Sequence, residues 1–131
     1  MKPQMPPASP TILVVDDAKA VRDLAKQALA PLGATLTEAT NGYNALFAME
    51  KSLPDLLVLD VKMPIMDGLE LLTMMRSNAT LRSVAVVMLT SPADHAILPQ
   101  LTALDVRAIL KKPFEPAALL AAVQQALPQK S

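Results

Sequence analysis

The chain predicts an α/β domain built on a doubly wound parallel sheet of five strands, with helices on both faces. Three observations lead there. Strand-like and helix-like segments alternate about five times along the 131 residues. Three of the strand-like segments, "TILVV", "LLVL" and "VAVVML", are continuous apolar runs, the pattern of strands covered on both faces rather than one. Right-handed crossovers between parallel strands then leave a doubly wound sheet as the simplest solution.

Each element has its own local reason. The opening "MKPQMPPASP" carries four prolines, so residues 1–10 are expected to be a disordered or extended tail, with the fold starting near Thr11. "TILVV" is β-branched and stops at Asp16 and Asp17. Val21, Leu24, Ala25, Ala28, Leu29 and Leu32 then recur at helical spacing, and Gly33 suits a left-handed cap. "ATLTEA" alternates, as a strand near the sheet edge should. Asn41 and Gly42 form a turn before a helix carrying Ala45, Leu46 and Met49. "DLLVLD" is the third strand, and Gly68 to Arg76 a helix with Leu69, Leu72 and either Met74 or Met75 facing inward. "VAVVML" runs to Thr90. Ser91-Pro-Ala-Asp94 looks like a helix start, but Pro99 should break or delay that helix. "AIL" at Ala108–Leu110 is a short last strand, ending at Lys111 and Lys112. Pro116 sits well in the first turn of a final helix. The domain is expected to span residues 11–127, with 128–131 a short tail.

Composition excludes several classes of function. There is no cysteine, so disulfides and thiolate metal sites are unavailable. Twelve basic and twelve acidic side chains give a formal net charge of +0, which favours neither nucleic acid nor an anionic membrane as partner. The apolar runs are too short to cross a bilayer, and the amino end lacks the apolar core of a secretory signal. A soluble cytoplasmic protein is the expectation.

The chemistry lies at the strand ends. In an open α/β sheet, ligands bind at the carboxyl ends of strands where strand order reverses. With the flavodoxin-like order 2-1-3-4-5, Asp16, Asp17 and Asp60 would face one another there. Three carboxylates at close quarters need a compensating cation, and a hard divalent ion such as Mg²⁺ suits oxygen ligands. Thr90 adds a hydroxyl and Lys112 a positive charge. Acids, metal, hydroxyl and lysine together make a site for a phosphoryl group, with a carboxylate able to act as nucleophile. Singly, each residue has a plainer reading: Asp17 as a cap for the following helix, Asp67-Gly68 as a turn and nothing more, Thr90 as a strand end. Met63, Met66, Met74 and Met75 read as packing, and His95 as no ligand. The joint arrangement across separate strand ends is what carries the argument.

"LVVDD", "LLVLDVKMPIMDG", "VVMLTS" and "LKKPF" resemble the signatures of response-regulator receiver domains, the CheY-like family, from Thr11 to about Leu127. The resemblance implies that Asp60 is the phospho-acceptor. It makes Asp17 a direct ligand of Mg²⁺ (or Mn²⁺), Asp16 an acid that helps hold it, and the backbone carbonyl of Lys62 a further ligand. Thr90 matches the switch hydroxyl, Lys112 the lysine that pairs with the phosphoryl group, and the amide of Ser91 a donor to a phosphoryl oxygen. The Lys112–Pro113 bond is expected to be cis. The side chain of Lys62 is expected to be a solvated turn residue or to tune dephosphorylation.

Three departures fall on one face. Ile109 stands where the family has its switch aromatic, Pro99 interrupts the fourth helix, and Asp105-Val106 replaces a small Gly-Ala pair. The implied function is a single-domain response regulator, not a conventional enzyme. A sensor histidine kinase or histidine phosphotransfer protein would phosphorylate it, and it would signal by protein contact as a monomer or a weak phosphorylation-dependent dimer. Its output could be a motor, a phosphorelay or another enzyme. A degenerate receiver that binds partners without phosphorylation is the alternative. A metal-dependent aspartyl-phosphate phosphatase would want an acid where Lys62 stands.

Overall fold

The computed structural model describes residues 9–128. The expected tails therefore lie outside the described residues, apart from Ser9, Pro10 and Pro128. Five strands, β1 (Thr11–Val15), β2 (Thr35–Ala39), β3 (Leu56–Asp60), β4 (Ala85–Thr90) and β5 (Ala108–Lys111), form one sheet in the order β2-β1-β3-β4-β5. Every neighbouring pair is parallel. The predicted class and order are both present. The three apolar runs occupy the centre: all of β3 and β4 is buried, as is β1 after its first residue. The less apolar β2 and β5 take the edges, where one side of each strand meets solvent.

The helices are α1 (Lys19–Leu29), α2 (Gly42–Lys51), α3 (Gly68–Arg76), α4 (Leu98–Ala103) and α5 (Pro116–Ala126). Two apolar clusters, one on each side of the sheet, hold them. Leu13, Val15, Leu57 and Leu59 join residues of α2, α3 and α4, including Ala45, Leu72, Met75 and Leu101. The alternate positions Ile12, Val14, Leu56 and Val58 join α1 and α5 through Leu29, Leu119 and Val123. This division follows from the pleat, which sends successive side chains to opposite faces. The core is mainly aliphatic, with Phe114 among its buried residues, and truncating one of its leucines such as Leu57 to alanine should cost about 2–5 kcal/mol.

Several local expectations are refined or corrected. The first helix leaves α geometry at Leu29 and finishes as a 3₁₀ turn, Ala30–Leu32, because Pro31 cannot donate; Gly33 ends it at φ 64°. Asp17 does not cap α1: the cap position is Ala18, whose amide donates to Asp16 Oδ1 at 2.9 Å. Asn41 is the cap of α2 rather than a turn before it, accepting from Asn44 N at 2.7 Å. Asp67 is more than a turn residue, since its carboxylate accepts from Glu70 N at 2.9 Å and Glu70 Oε1 accepts from Asp67 N at 3.1 Å. Met75 faces inward, whereas Met74 is exposed and does not pack as expected. Pro99 delays the fourth helix: residues Pro92–Ile97 form a 3₁₀ segment, and α4 begins only at Leu98 with Pro99 in its first turn. Asp105, in place of the small residue, takes a left-handed φ of 59°. Among the described residues, no helix is long and apolar enough to cross a membrane.

Candidate functional site

The register of the sheet brings the strand-end residues together. Leu59 pairs with Val15, so Asp60 and Asp16 are the next residues out on adjacent strands. Asp60 pairs with Leu89 on β4, and Thr90 with Lys111 on β5, which sets Thr90 and Lys112 along the same edge. The backbone around Asp60 is fixed from the other side by α3. Gly68 N donates to Val61 O at 2.8 Å, and a Cβ on Gly68 would collide with the carbonyl oxygen of Asp60. Only glycine lets the helix start so close to the strand end.

Asp16, Asp17 and Asp60 each offer one carboxylate oxygen within 4.8 Å of the others. Asp16 and Asp60 are buried and Asp17 is exposed, so the cluster opens to solvent on the Asp17 side. Lys112 enters it after β5, with Nζ 2.7 Å from Asp60 Oδ1 and 2.9 Å from Asp16 Oδ2. Asp60 Oδ1 also accepts from Val61 N at 2.9 Å. Asp16 Oδ2 has the lysine as an ion-pair neighbour but no directed hydrogen bond among the described residues. Burial pushes the Asp60 carboxyl up from 3.8 to about 6; the Lys112 ammonium opposes that rise and the Asp16 carboxylate adds to it. For Lys112, burial works downward, but the carboxylates of Asp60 and Asp16 outweigh it and the net direction is up.

These residues fit a divalent cation. Three acids face a single ammonium group, and a buried carboxylate oxygen lacks a directed donor. The donors are all hard oxygens, with no histidine or cysteine among them, which suits Mg²⁺ or Mn²⁺ rather than a soft metal.

The other predicted residues are placed less uniformly. Thr90 is buried, and its hydroxyl makes only a long 3.5 Å contact to Leu110 O, close to the limit of a useful hydrogen bond. The Lys112–Pro113 bond is cis. Lys62 is exposed and forms no side-chain hydrogen bond or ion pair among the described residues. Ser91 N is already engaged, donating to Asp94 Oδ2 at 2.8 Å. Ile109 is half-buried and packs against the α4 side of the core, as do Ile97, Leu98 and Leu104. One supporting residue has no counterpart among the sequence expectations. Arg22 donates from Nη1 to Asp16 O at 2.8 Å and from Nε to Glu38 Oε1 at 2.7 Å, tying the β1–α1 loop to β2. An arginine six residues after an acid carries no signature in the chain. His95 is exposed and stands outside the acid cluster.

Comparison with known proteins points one way. A family model described as the response regulator receiver domain matches residues 12–124. Sporulation initiation phosphotransferase F of Bacillus subtilis is 32% identical, over 92% of this chain and 95% of its own. The DNA-binding transcriptional regulator NtrC of Salmonella typhimurium is 35% identical over 88% of this chain but only 24% of its own length. Among solved structures, the chemotaxis response regulator CheY4 of Vibrio cholerae superposes with a TM-score of 0.83 at 28% identity, covering 92% of this chain and all of that one.

Proposed function

The chain belongs to the response regulator receiver family, and from that premise we propose that Asp60 is its phospho-acceptor, charged by a histidine kinase or a histidine phosphotransfer protein. The observation that supports this reading most directly is the Asp60 carboxylate at the end of β3, held 2.7 Å from Lys112 and flanked by two further acids. Asp60 Oδ1 is engaged twice, by Val61 N and by Lys112, which leaves Oδ2 as the oxygen to attack. Attack on the phosphorus of a phosphohistidine forms a P–O bond as the P–N bond breaks, and the electron pair returns to the histidine nitrogen. Lys112 lies where it can neutralise charge on the transferred group.

Asp16, Asp17, Asp60 and the backbone carbonyl of Lys62 would hold Mg²⁺. Bound there, the ion supplies charge neutralisation that lets the phosphoryl oxygens approach the carboxylates. Thr90 is the hydroxyl that turns from Leu110 O toward the phosphoryl group, and the Ser91 amide is a second donor. The Lys62 side chain, exposed and unpaired among the described residues, screens the site and so sets the lifetime of the phosphorylated state. Phosphorylation biases a two-state equilibrium of the domain, and the signal leaves by protein contact in the cytoplasm. Ile109 is the one feature favouring a phosphorylation-independent binding module, and it touches the output face rather than the acids.

The test is phosphotransfer from a panel of kinases and phosphotransfer proteins in the presence of Mg²⁺, with Asp60→Asn as control. Mg²⁺-dependent label in the native chain and none in the control is the expected result. Label that persists in Asp60→Asn refutes the assignment.

A further inference from the structure

Asp94 is a buried acid that the phosphotransfer chemistry does not use. It is 2% exposed, and its Oδ1 has no hydrogen-bond partner among the described residues. Its other oxygen, Oδ2, takes both donors of Ser91: the amide at 2.8 Å and the hydroxyl at 3.2 Å. The Asp94 amide returns a bond to Ser91 O at 2.9 Å. This reciprocal turn starts the 3₁₀ segment Pro92–Ile97 that leads into α4.

Ser91 directly follows Thr90, at the sheet edge that holds Asp60 and Lys112. A backbone amide has one hydrogen to give. A carboxylate oxygen and a phosphoryl oxygen are both pure acceptors, so the two cannot share that hydrogen at full strength. Whatever binds the Ser91 amide from the Asp60 side must take it from Asp94.

We propose that Asp94 is a latch: it holds the Ser91 amide in the resting protein and is displaced when Asp60 carries a phosphoryl group. The proposal deepens, and rests on, the assignment of Asp60 as acceptor and of the Ser91 amide as a phosphoryl donor. Displacement removes the bond that caps the 3₁₀ segment, so the first change beyond the site falls on residues 92–97 and α4. Ile97, Leu98 and Ile109 all pack on the same apolar cluster of that side of the sheet. An uncapped turn can therefore pass the signal to that face without an aromatic ring at position 109, which isoleucine cannot supply.

The experiment titrates beryllofluoride, a phosphoryl mimic, with Mg²⁺ into the full chain and into Asp94→Ala and Asp94→Asn. With the latch gone, Asp94→Ala should bind about tenfold tighter than the native chain, the size of one charge-assisted hydrogen bond that no longer has to be displaced. Asp94→Asn keeps a weaker, neutral acceptor and should fall between the two. Simple loss of the cap would loosen the segment and weaken binding, giving the opposite order. Equal or weaker binding by a folded Asp94→Ala overturns the latch. Should that variant not fold, NMR on the native chain decides between the outcomes: on saturation both the Ser91 amide and the Asp94 carboxyl resonances should shift. An unmoved Asp94 carboxyl overturns the latch as well. Asp60→Asn separates the two claims, because beryllofluoride binding that survives it overturns the acceptor assignment itself.

Discussion

Replacing Asp60 by asparagine should make the metal-free protein more stable at neutral pH, and the size of the effect follows from the site. Asp60 is 4% exposed. Raising its carboxyl from 3.8 to about 6 corresponds to roughly 3 kcal/mol against the ionised form in the fold. The sign follows from proton linkage. Well below pH 3.8 the carboxyl is protonated in both folded and unfolded chains and contributes nothing. As pH rises, the unfolded chain ionises first, so stability falls, and the full loss is present above about pH 6. Asparagine has nearly the same shape and no charge, and Lys112 keeps its contact with Asp16 at 2.9 Å. In a chelating buffer at neutral pH the variant should therefore gain up to about 3 kcal/mol, or roughly 10 °C in Tm for a domain of this size. The gap should close as pH falls toward 4. Urea unfolding followed by circular dichroism is the assay, because the chain has no tryptophan. Adding Mg²⁺ should stabilise the native chain more than the variant, by mass action on the folded state. An asparagine variant that is less stable at neutral pH, or a gap that does not change with pH, would refute the reasoning.

Three other substitutions test the scaffold. Gly68→Ala places a methyl group against the Asp60 carbonyl; it should cost about 1–3 kcal/mol in urea unfolding and slow phosphorylation by shifting the strand end. Ile65 is a β-branched residue at φ 70° and 79% exposed, so Ile65→Asn should relieve strain and add about 1 kcal/mol of stability, read as a higher Tm. Arg76 donates to Leu104 O, Arg82 O, Val84 O and Asp105 O at 2.7–3.1 Å. Arg76→Lys cannot reproduce that fork and should cost about 2–4 kcal/mol in the same unfolding assay.

The acids, the lysine and the sheet order were legible in the chain because each sits at the end of an apolar run, and strand burial is written in composition. What stayed hidden were choices between equivalent neighbours. Met74 and Met75 are adjacent and equally apolar, so helical periodicity cannot say which turns inward; packing chose Met75. Asp16 and Asp17 both suit a cap, yet the path of the backbone puts Ala18 at that position and leaves Asp16 to accept from its amide. The Asp67–Glu70 pair carried a capping-box spacing that could have been read from sequence. Ser91 and Asp94 were visible as a helix start. That the cap would take the very amide expected for the phosphoryl group needs the geometry of the bond. Arg22 reaches Asp16 through tertiary folding, which no local pattern encodes.

The central claim is that one carboxylate, Asp60, accepts the phosphoryl group. Borohydride reduces an acyl phosphate to the alcohol, so an aspartate phosphorylated at the moment of trapping is left as homoserine. After charging by a histidine phosphodonor with Mg²⁺, trapping and peptide mass mapping should find homoserine at position 60 alone. Homoserine at position 16 or 17, or none in a chain that carries phosphoryl label, would contradict the account.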